Sequence, residues 1–514
     1  MIDRRQFGLL GLGLAASACG GSRARVSPGT ARMAFGATIE SLDPLLTINA
    51  YPLFRSIFDA LTEIRADGSL GPRLARSWRA NADATEWHFD LRDDARWSDG
   101  TPVTADDVRF TMETIRATTA SLNRQYLADV VAVDVVAPQT IRFRLARPFA
   151  AWPRQMTLLS IVPAKTYSAA EFSRRPLGSG PYRVERWTPG AALDLAANPF
   201  HAANPFHAGG PFHAGGAAPL PHVSVLSIPD EGARLNALQS GDVDVITVTP
   251  QQIPLLARRP GIAVQTIASN RVSYLGFVAA AGPLHDPRIR QAIDAAIDRE
   301  AICRYLLHGA ATPIGQLVAP SSFGYDPAIR PTAHDPARAR ALLAAAGYAG
   351  QPIVFQYPSN GAIPLAHLVA EAVQGCLGEV GITLEMRAME QNNFIGDWLG
   401  NKLLGLYLFA FAPSTMDAGL VTGSLFGPTS GVDDPVIAAL ETLQQSQTDA
   451  AERAATFGRM WARNRQQAWY APLFNDVYVY ATARGVVTLE PRRDGYVTAH
   501  DLRPPLTDRK TRPS

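Results

Sequence analysis

The segment from Pro72 to Thr111 constrains the fold of this chain more than any other. Its residues 87–92 alternate apolar and polar side chains, and this period of two predicts a half-buried strand. The chain should then reverse, because Asp99-Gly100 tolerates positive φ and Pro102 resists joining a central strand. Thr104 can cap a following helix, and two acidic residues come where the helix dipole favours negative charge. The segment therefore predicts a strand, a turn and a capped helix, with nothing arranged for chemistry.

Three blocks of this segment carry a family resemblance. They read PRLARSW at 72–78, WHFDLR at 87–92 and WSDGTPVTADDV at 97–108. In type and order they resemble the extracellular solute-binding proteins of ABC importers in the dipeptide, oligopeptide and nickel class. The resemblance implies the α/β two-lobe periplasmic binding protein fold, type II, in its large class with an extra subdomain. In that fold, mixed sheets flanked by helices form two lobes with a ligand cleft between them.

The resemblance also implies the partners of the protein. A monomeric binding protein would capture a small-molecule or peptide ligand and deliver it to an ABC permease, while ATP is hydrolysed on other subunits. The chain itself has no G-x-x-x-x-G-K-[ST] nucleotide loop. Charged residues make up 18% of the sequence and the net charge is +2, so no nucleic-acid partner is expected. No cofactor is expected either.

Residues 1–19 predict an export signal with a lipobox. Arg4-Arg5 precedes an apolar run that resembles a twin-arginine signal and is too short for a permanent membrane span. Ala16-Ser17-Ala18-Cys19 resembles a lipobox, although Ala16 stands where leucine is usual, and a plain cleavable signal is the alternative. Lipidation of Cys19 would anchor the protein in the periplasm or at the outer face of the cell membrane.

The remaining chain divides into segments of different character. Residues 20–32 are rich in Gly, Ser and Arg and predict a flexible tether. The resemblance then implies lobe I over 33–270 with an extra subdomain at about 50–177, lobe II over 271–478, and a return to lobe I over 479–514. Residues 269–277 and 473–480 are expected to cross between the lobes. Within the subdomain, Tyr51 to Thr62 is expected to form one helix.

Residues 409–418, which read FAFAPSTMDA, are expected to determine the ligand. Peptide-binding relatives resemble W-x-x-D-Y-x-D-P here, and their first Asp pairs with the α-amino group of the peptide. Aligned on Asp417, this chain has Phe411 for the Trp and Ser414 for that Asp. A serine cannot neutralise an ammonium group, and an unpaired desolvated charge is costly. Another acid, such as Glu40 or Asp417 itself, would have to replace it.

The predicted site combines this segment with residues elsewhere in the chain. The predicted ligand-binding residues are Glu40, Ser41, Leu42, Tyr274, Tyr357, Phe409, Phe411, Ser414 and Asp417. The aromatic members suit an apolar or aromatic ligand. The alternative for each aromatic side chain is packing in the hydrophobic core.

Residues 198–216 hold a short repeat that contains His201, His207 and His213. Imidazoles repeated on a flexible segment can converge on one metal ion, so these three are candidate metal ligands. The alternative is an expanded surface loop, since Gly and Pro at this density favour turns and no nearby Cys or closely spaced Asp or Glu completes a coordination shell.

Cys303 and Cys376 are the cysteines that follow Cys19. Cys376 continues an apolar stripe with helical spacing, which predicts a core thiol. A disulfide between the two is the alternative, but no framework of spacings supports it.

Three functions remain open. The first is an importer binding protein for a small organic solute, and the second is a nickel or metal-chelate binder of the same fold. The third is a secreted hydrolase, but no nucleophile and base have a recognised spacing, and Gly178-Ser179-Gly180 lacks the spacing of a nucleophile elbow. The chain is therefore predicted to be a binding protein with no catalytic residue.

Overall fold

The computed structural model gives the positions of most of the chain. It describes residues 29–46, 51–201, 218–280, 282–359, 363, 365–490 and 492–505. The predicted signal, Cys19, and the candidate ligands His207 and His213 lie outside the described residues. Within the described ranges, no helix is both long enough and apolar enough to cross a membrane.

Helices and strands alternate along most of the chain. The strands are β1 (Thr30–Phe35), β2 (Thr62–Ile64), β3 (Leu70–Pro72), β4 (Ala75–Ala80), β5 (Glu86–Leu91), β6 (Val130–Ala137), β7 (Thr140–Leu145), β8 (Tyr182–Thr188), β9 (Ala192–Ala197), β10 (His222–Ser227), β11 (Val245–Val248), β12 (Ile262–Phe277), β13 (Ala311–Pro313), β14 (Ile353–Pro358), β15 (Leu384–Met389), β16 (Leu406–Phe411), β17 (Tyr470–Ala483), β18 (Thr488–Leu489) and β19 (Leu502–Arg503). The α-helices are α1 (Tyr51–Ile57), α2 (Ala105–Ala117), α3 (Trp152–Gln155), α4 (Ala169–Phe172), α5 (Glu231–Ser240), α6 (Ile253–Leu256), α7 (Pro287–Ala296), α8 (Arg299–Ala301), α9 (Pro336–Ala346), α10 (Ala366–Glu379), α11 (Gln391–Leu399), α12 (Ala418–Phe426), α13 (Pro435–Ser446) and α14 (Ala450–Gln467).

Two long strands connect the two lobes of the molecule. The largest sheet has the order β15-β14-β16-β12-β17-β11-β1-β10-β9-β8, and β13 also pairs with β17. At one end of the pair, β17 pairs with β11, and we call this end with β1 and β8–β11 the first lobe. At the other end, β12 pairs with β16, and this end with β13–β16 is the second lobe. Residues 269–277 lie within β12 and 473–480 within β17, the strands that pass between the lobes.

A smaller four-stranded sheet, β4-β5-β7-β6, packs with α2 and α3 against the first lobe, and we call this unit the subdomain. It contains the segment that the sequence predicts as strand, turn and helix. Trp87, Phe89 and Leu91 are buried on one face of β5. The Thr104 backbone N–H donates to Asp107 Oδ2 at 2.9 Å, which closes a capping box at the start of α2. The predicted strand and capped helix are confirmed.

The predicted helix from Tyr51 to Thr62 is too long. Helix α1 ends at Ile57, and Thr62 begins β2, which pairs with β3. The Thr62 hydroxyl donates to the carbonyl of Pro153 in α3. Pairing and hydrogen bonding of the second half of this segment therefore override its helical pattern.

The two cysteines are not joined. Cys303 is buried in the core of the second lobe, and Cys376 packs against the same core from α10. Burial raises the pKa of both thiols, that of Cys303 to about 12. The prediction of core thiols is confirmed.

Candidate ligand-binding cleft

A buried polar cluster lies where β12 and β17 pass between the lobes. The pairing of the two strands shifts register between Ala268 and Val272. At this interruption Asp476 accepts hydrogen bonds from the Ser269 hydroxyl and from Arg271 Nε, the latter at 2.7 Å. Asn475 Nδ2 donates to the Arg271 carbonyl at 2.7 Å. Side chains thus replace ladder hydrogen bonds where the two strands pass between the lobes.

The loop after β16 lies against this cluster. Asn270 Nδ2 donates to the carbonyl of Pro413 at 3.0 Å. The Phe323 N–H donates to the Met416 carbonyl at 2.9 Å, which fixes the next turn of the loop against residues 321–323. Ser414 is half-buried in this turn. The loop that the sequence singled out is therefore held in place by hydrogen bonds to its main-chain carbonyls.

Asp417 ends this loop and is completely buried. Arg453 of α14 contacts its two carboxylate oxygens at 2.7 and 2.8 Å, and Arg154 Nε of the subdomain lies 3.5 Å away. Burial alone would raise the pKa of Asp417, but Arg453 and Arg154 outweigh it and lower the pKa. Its carboxylate also caps α12 by accepting from the Gly419 N–H at 2.8 Å. Asp417 therefore has structural partners on both sides and little capacity for a ligand.

The subdomain and the second lobe touch directly. Arg154 Nη1 donates to the carbonyls of Thr415 and Met416, each at 3.3 Å. The Ala150 N–H donates to the Gln445 carbonyl at 2.7 Å. These contacts close one side of the space between the lobes.

A cavity of about 330 Å³ lies at this contact. The subdomain contributes Asp129, Arg147, Pro148, Phe149, Ala151 and Gln155, and the second lobe contributes Thr415, Gly419, Leu420, Gly423, Ser424, Gly427, Pro428, Thr429, Glu441, Gln444 and Gln445. The glycines on the second-lobe wall leave space in the cavity, and polar residues line it from both the subdomain and the second lobe. Its volume falls at the lower end of the range of small-molecule sites.

Three of the predicted aromatic residues lie together on one face of the second-lobe sheet. The ring centroids of Phe409 and Trp398 are 4.9 Å apart, and those of Tyr274 and Tyr470 are 5.5 Å apart. Tyr274 is completely buried, whereas Phe409 and Phe411 are partly exposed. Of these three, the two phenylalanines are therefore the ones that a solute could reach.

Tyr357 lies in a different core from that aromatic group. It is buried with Phe355 on the opposite face of the sheet, and its hydroxyl lies 3.0 Å from His367 Nδ1. The structure therefore does not bring Tyr357 together with Tyr274, Phe409 and Phe411.

Glu40, Ser41 and Leu42 lie in the first lobe. Glu40 is exposed, Leu42 is fully buried, and the Ser41 hydroxyl accepts from the Asp43 N–H at 3.1 Å. Among the residues whose positions are given, no hydrogen bond or ion pair joins these three to the second lobe.

His201 lies in a network of charges in the first lobe. Its Nε2 is 3.3 Å from Arg73 Nη2 and 3.9 Å from Asp59 Oδ1. The described part of the chain holds no group of three or more His, Cys, Asp or Glu side chains arranged for a metal ion. His201 thus has structural partners.

Sequence reasoning missed Arg154, Arg453 and Glu441. Arg453 could have been found, because it precedes Phe457 and Trp461 by four and eight residues and so lies on the buried face of α14. Arg154 and Glu441 gave no such signal. Arg154 is partly buried by its contacts with Thr415, Met416 and Asp417 of the second lobe, which are distant in the sequence.

Two lobes joined by a pair of long strands, with a cavity at their contact, define a two-lobed binding protein. Residues 69–432 match the model of the bacterial extracellular solute-binding proteins, family 5. This match spans more than half of the chain, so the protein belongs to that family, as its sequence motifs predicted. Members of the family are binding proteins that act outside the cytoplasm.

Relatives and solved structures agree with this assignment. The chain is 26% identical to the probable D,D-dipeptide-binding periplasmic protein of Escherichia coli over 86% of each chain. It is 23% identical to the nickel-binding periplasmic protein of the same organism, over 71% of this chain and 72% of the relative. The structure of NikA from Brucella suis in complex with Fe(III)-EDTA matches with a TM-score of 0.79 at 20% identity, over 92% of this chain and 99% of that one. The structure of CtaP from Listeria monocytogenes matches with a TM-score of 0.77 at 22% identity, over 92% and 99%. At these identities the structures show the fold, and the predicted two-lobe fold is confirmed.

Proposed function

We propose that this protein is the binding component of an ABC importer that captures a small organic solute, peptide or peptide-like, between its lobes. The observation that carries the proposal is the cavity at the contact of the subdomain and the second lobe, whose lining includes Thr415 of the loop that Asn270 contacts. Relatives named as peptide-binding proteins of ABC transporters support the transport role. The closed, loaded protein would then deliver its solute to a membrane permease.

Closure around the solute supplies the mechanism. A two-lobed protein exchanges open and closed states, and a solute shifts the population towards the closed state by its extra affinity for that state. Opening at the crossing strands would separate Arg154 from the Thr415 carbonyl and Ala150 from the Gln445 carbonyl. These contacts therefore contribute to the closed state, and a solute in the cavity would add to them.

A thermal-shift screen of the purified protein with peptides, small organic solutes, nickel and haem tests this function. A true ligand raises the free energy of unfolding by RT ln(1 + [L]/Kd), so the melting temperature climbs with ligand concentration. We expect at least one organic solute to behave in this way. Turnover of an ester or peptide substrate that disappears with a single nucleophile substitution would contradict the proposal.

The closing contact can be tested with the same ligand. Arg154→Ala should weaken its binding by roughly three- to tenfold, because hydrogen bonds made only between the closed lobes are lost. Arg76→Ala is the control, since Arg76 forms an exposed ion pair with Asp93 on the surface of the subdomain. Titration calorimetry would measure both. Equal affinities of the two variants would contradict this role of Arg154.

Transport of nickel or a metal chelate is the second candidate. The nickel-binding relative and the Fe(III)-EDTA complex favour it, because both belong to proteins that match most of this chain. The two candidates differ in the screen. A metal binder is stabilised by nickel, alone or with histidine, whereas the first proposal expects stabilisation by a metal-free solute.

We further propose export by a twin-arginine signal, lipidation at Cys19 and action as a monomer. The sequence motifs at residues 1–19 support the first two. In cells that express the full chain, Cys19→Ser should move the protein from the membrane fraction to the soluble fraction. A variant that stays with the membrane would contradict the lipid anchor.

A further inference from the structure

A separate pocket of about 200 Å³ lies within the second lobe, and we call it the aromatic pocket. Phe277 ends β12, Tyr407 lies near the start of β16, and Tyr470 begins β17, and all three line the pocket. These are the ends of the strands away from the first lobe, because the pairing of β12 with β16 runs from Val272 and Phe411 at the crossing to Phe277 at the far end. The aromatic pocket is therefore built by the second lobe alone.

The lining of the aromatic pocket carries no charge. Four aromatic residues line it, the fourth being Trp398 of α11, and none of the described residues that line it is an acid, a lysine or an arginine. Burial raises the pKa of Tyr407 to about 12 and that of Tyr470 well above its usual value, so both hydroxyls stay neutral. A charged group that entered would lose its hydration without finding a counter-ion. The pocket therefore suits an uncharged compound.

The size of the aromatic pocket fits one or two rings. An apolar cavity of about 150 Å³ is large enough to bind benzene. At about 200 Å³ this pocket has room for a substituted ring or for two fused rings. Leu399 also lines it and yet is 68% exposed, so apolar surface at the rim is still open to a bound molecule. Aromatic walls pack rings well, because they offer large flat faces with little loss of side-chain freedom.

A hydrogen bond between two loops shapes the rim. Asn401, in the loop after α11, donates from Nδ2 to the carbonyl of Thr429 in the loop after α12 at 2.6 Å, and both residues line the pocket. Asn401 has a φ of 51°, in the left-handed region that asparagine tolerates better than most residues. The rim is thus tied across by a specific bond from a residue in an uncommon backbone conformation.

Two hydroxyls in the lining can bind a polar group on the ring. The Ser424 hydroxyl donates to the Leu420 carbonyl at 2.9 Å, which leaves its oxygen able to accept. The Ser430 hydroxyl accepts from the Val432 N–H at 3.2 Å, which leaves its hydrogen able to donate. One acceptor and one donor among apolar walls match a ring that bears a hydroxyl or an N–H group.

The aromatic pocket differs from the cavity between the subdomain and the second lobe. Ser424 and Thr429 line both, but that cavity also has charged residues in its lining, Asp129, Arg147 and Glu441. The two spaces therefore differ in the compounds that they can hold.

We propose that the aromatic pocket is a second binding site of this protein, for an uncharged aromatic compound of one ring or two fused rings that carries a hydroxyl or N–H group. The chemical class is that of phenols and indoles. The site is separate from the one proposed for the transported solute and does not depend on the transport function.

The test uses phenol and indole as probes, with benzoate and indole-3-carboxylate as charged compounds of similar shape. Saturation-transfer NMR and titration measure their binding to the full protein. We expect at least one uncharged probe to bind with a Kd of roughly 1 mM or lower. Its charged counterpart should bind at least roughly tenfold more weakly, because the pocket offers no counter-ion.

Two variants fill the pocket independently. Ala279 and Val432 both line it and are partly exposed, so Ala279→Trp and Val432→Trp place a ring in the space, and each should weaken the probe at least roughly tenfold. Ala341→Trp is the control, because Ala341 is exposed on α9 of the same lobe and should leave binding unchanged. Urea unfolding shows that each variant is folded.

Three results would overturn the inference. The first is that neither phenol nor indole binds the folded wild-type protein. The second is that a probe binds both filled variants as tightly as wild type, which would place it elsewhere on the molecule. The third is that the charged compounds bind as tightly as the uncharged ones. None of these results bears on the transport function, which the thermal-shift screen tests separately.

Discussion

Asp417, at the start of α12, and Glu441, on α13, are both buried acids, but their partners differ. Burial would raise the pKa of Asp417, but its two arginine partners outweigh burial and lower it. Burial raises the pKa of Glu441, opposed only by the hydroxyl of Thr422, the amides of Gln445 and Gln444 and the more distant Arg453. The first arrangement stabilises the fold. The second arrangement favours the neutral form of the acid. Whether a buried acid of this protein prefers its charged or its neutral form thus depends on whether arginines pair with it directly.

Asp417→Asn should lower the free energy of unfolding by about 3–5 kcal/mol, because it leaves Arg453 and Arg154 buried without their counter-ion. Urea denaturation at neutral pH measures the loss. Glu385→Gln is the control, since Glu385 pairs with Arg387 on the exposed side of β15 and should change stability by less than about 1 kcal/mol. A loss at Asp417 no larger than that of the control would contradict the structural role.

At the scale of elements, sequence patterns predicted the features of strands and helices that interactions between neighbouring residues determine. The alternation in β5 and the cap of α2 lie within a few residues of each other in sequence, and both were predicted correctly. The end of α1 was not, because β2 pairs with β3. Glu441 was not predicted either, since α13 presents an ordinary helical sequence and the hydrogen bond from the Ala150 N–H to the Gln445 carbonyl joins residues that are far apart in the sequence. Long-range packing is the part that the sequence does not reveal.

The aromatic face of the second-lobe sheet requires a glycine on its central strand. A Cβ atom on Gly276 of β12 would come within 2.0 Å of the ring of Tyr407, which is itself buried against Phe394 and Tyr274. Gly276→Ala should therefore cost about 1–3 kcal/mol in the free energy of unfolding. Circular dichroism during chemical denaturation measures this cost.

Gly375→Ala is the matched control for that substitution. Gly375 lies on the exposed side of α10, and no other atom comes within 4 Å of a Cβ placed there. Alanine should stabilise the helix by up to about 1 kcal/mol. Opposite signs for the two substitutions are expected, and a neutral Gly276→Ala would show that the Tyr407 ring can move aside.

At the scale of the whole molecule, an ion cluster attaches the end of the described chain to the first lobe. Asp494 contacts Arg55 of α1 at 2.6 Å and Arg492 at 3.0 Å, and Arg492 Nη2 donates to the Ile64 carbonyl at 2.7 Å. Burial would raise the pKa of Asp494, but Arg492 and Arg55 lower it to about 2. The C-terminal segment is thus held in place by paired charges as well as by apolar contacts.

This cluster predicts a loss of stability in acid. Because the folded-state pKa of Asp494 is lowered, its contribution is complete above about pH 4, the unfolded value, and disappears as the pH falls towards 2. The contribution is about 2 kcal/mol. Urea unfolding of wild type and Asp494→Asn between pH 7 and pH 2 should show a difference that shrinks in this window. A difference that is constant with pH would contradict the assignment.

The crossing of β12 and β17 also sets the order in which the protein can assemble during synthesis. Strand β11 pairs with β1 early, but its second neighbour is β17, whose residues are among the last to be made. Until then the sheet of the first lobe has an open edge at β11, and such edges readily pair with other chains. The ribosome must therefore complete the entire second lobe before the first lobe can close its sheet. A chain truncated before Tyr470 would leave the edge of β11 unpaired. We expect such a chain to aggregate and not to fold into a smaller binding protein.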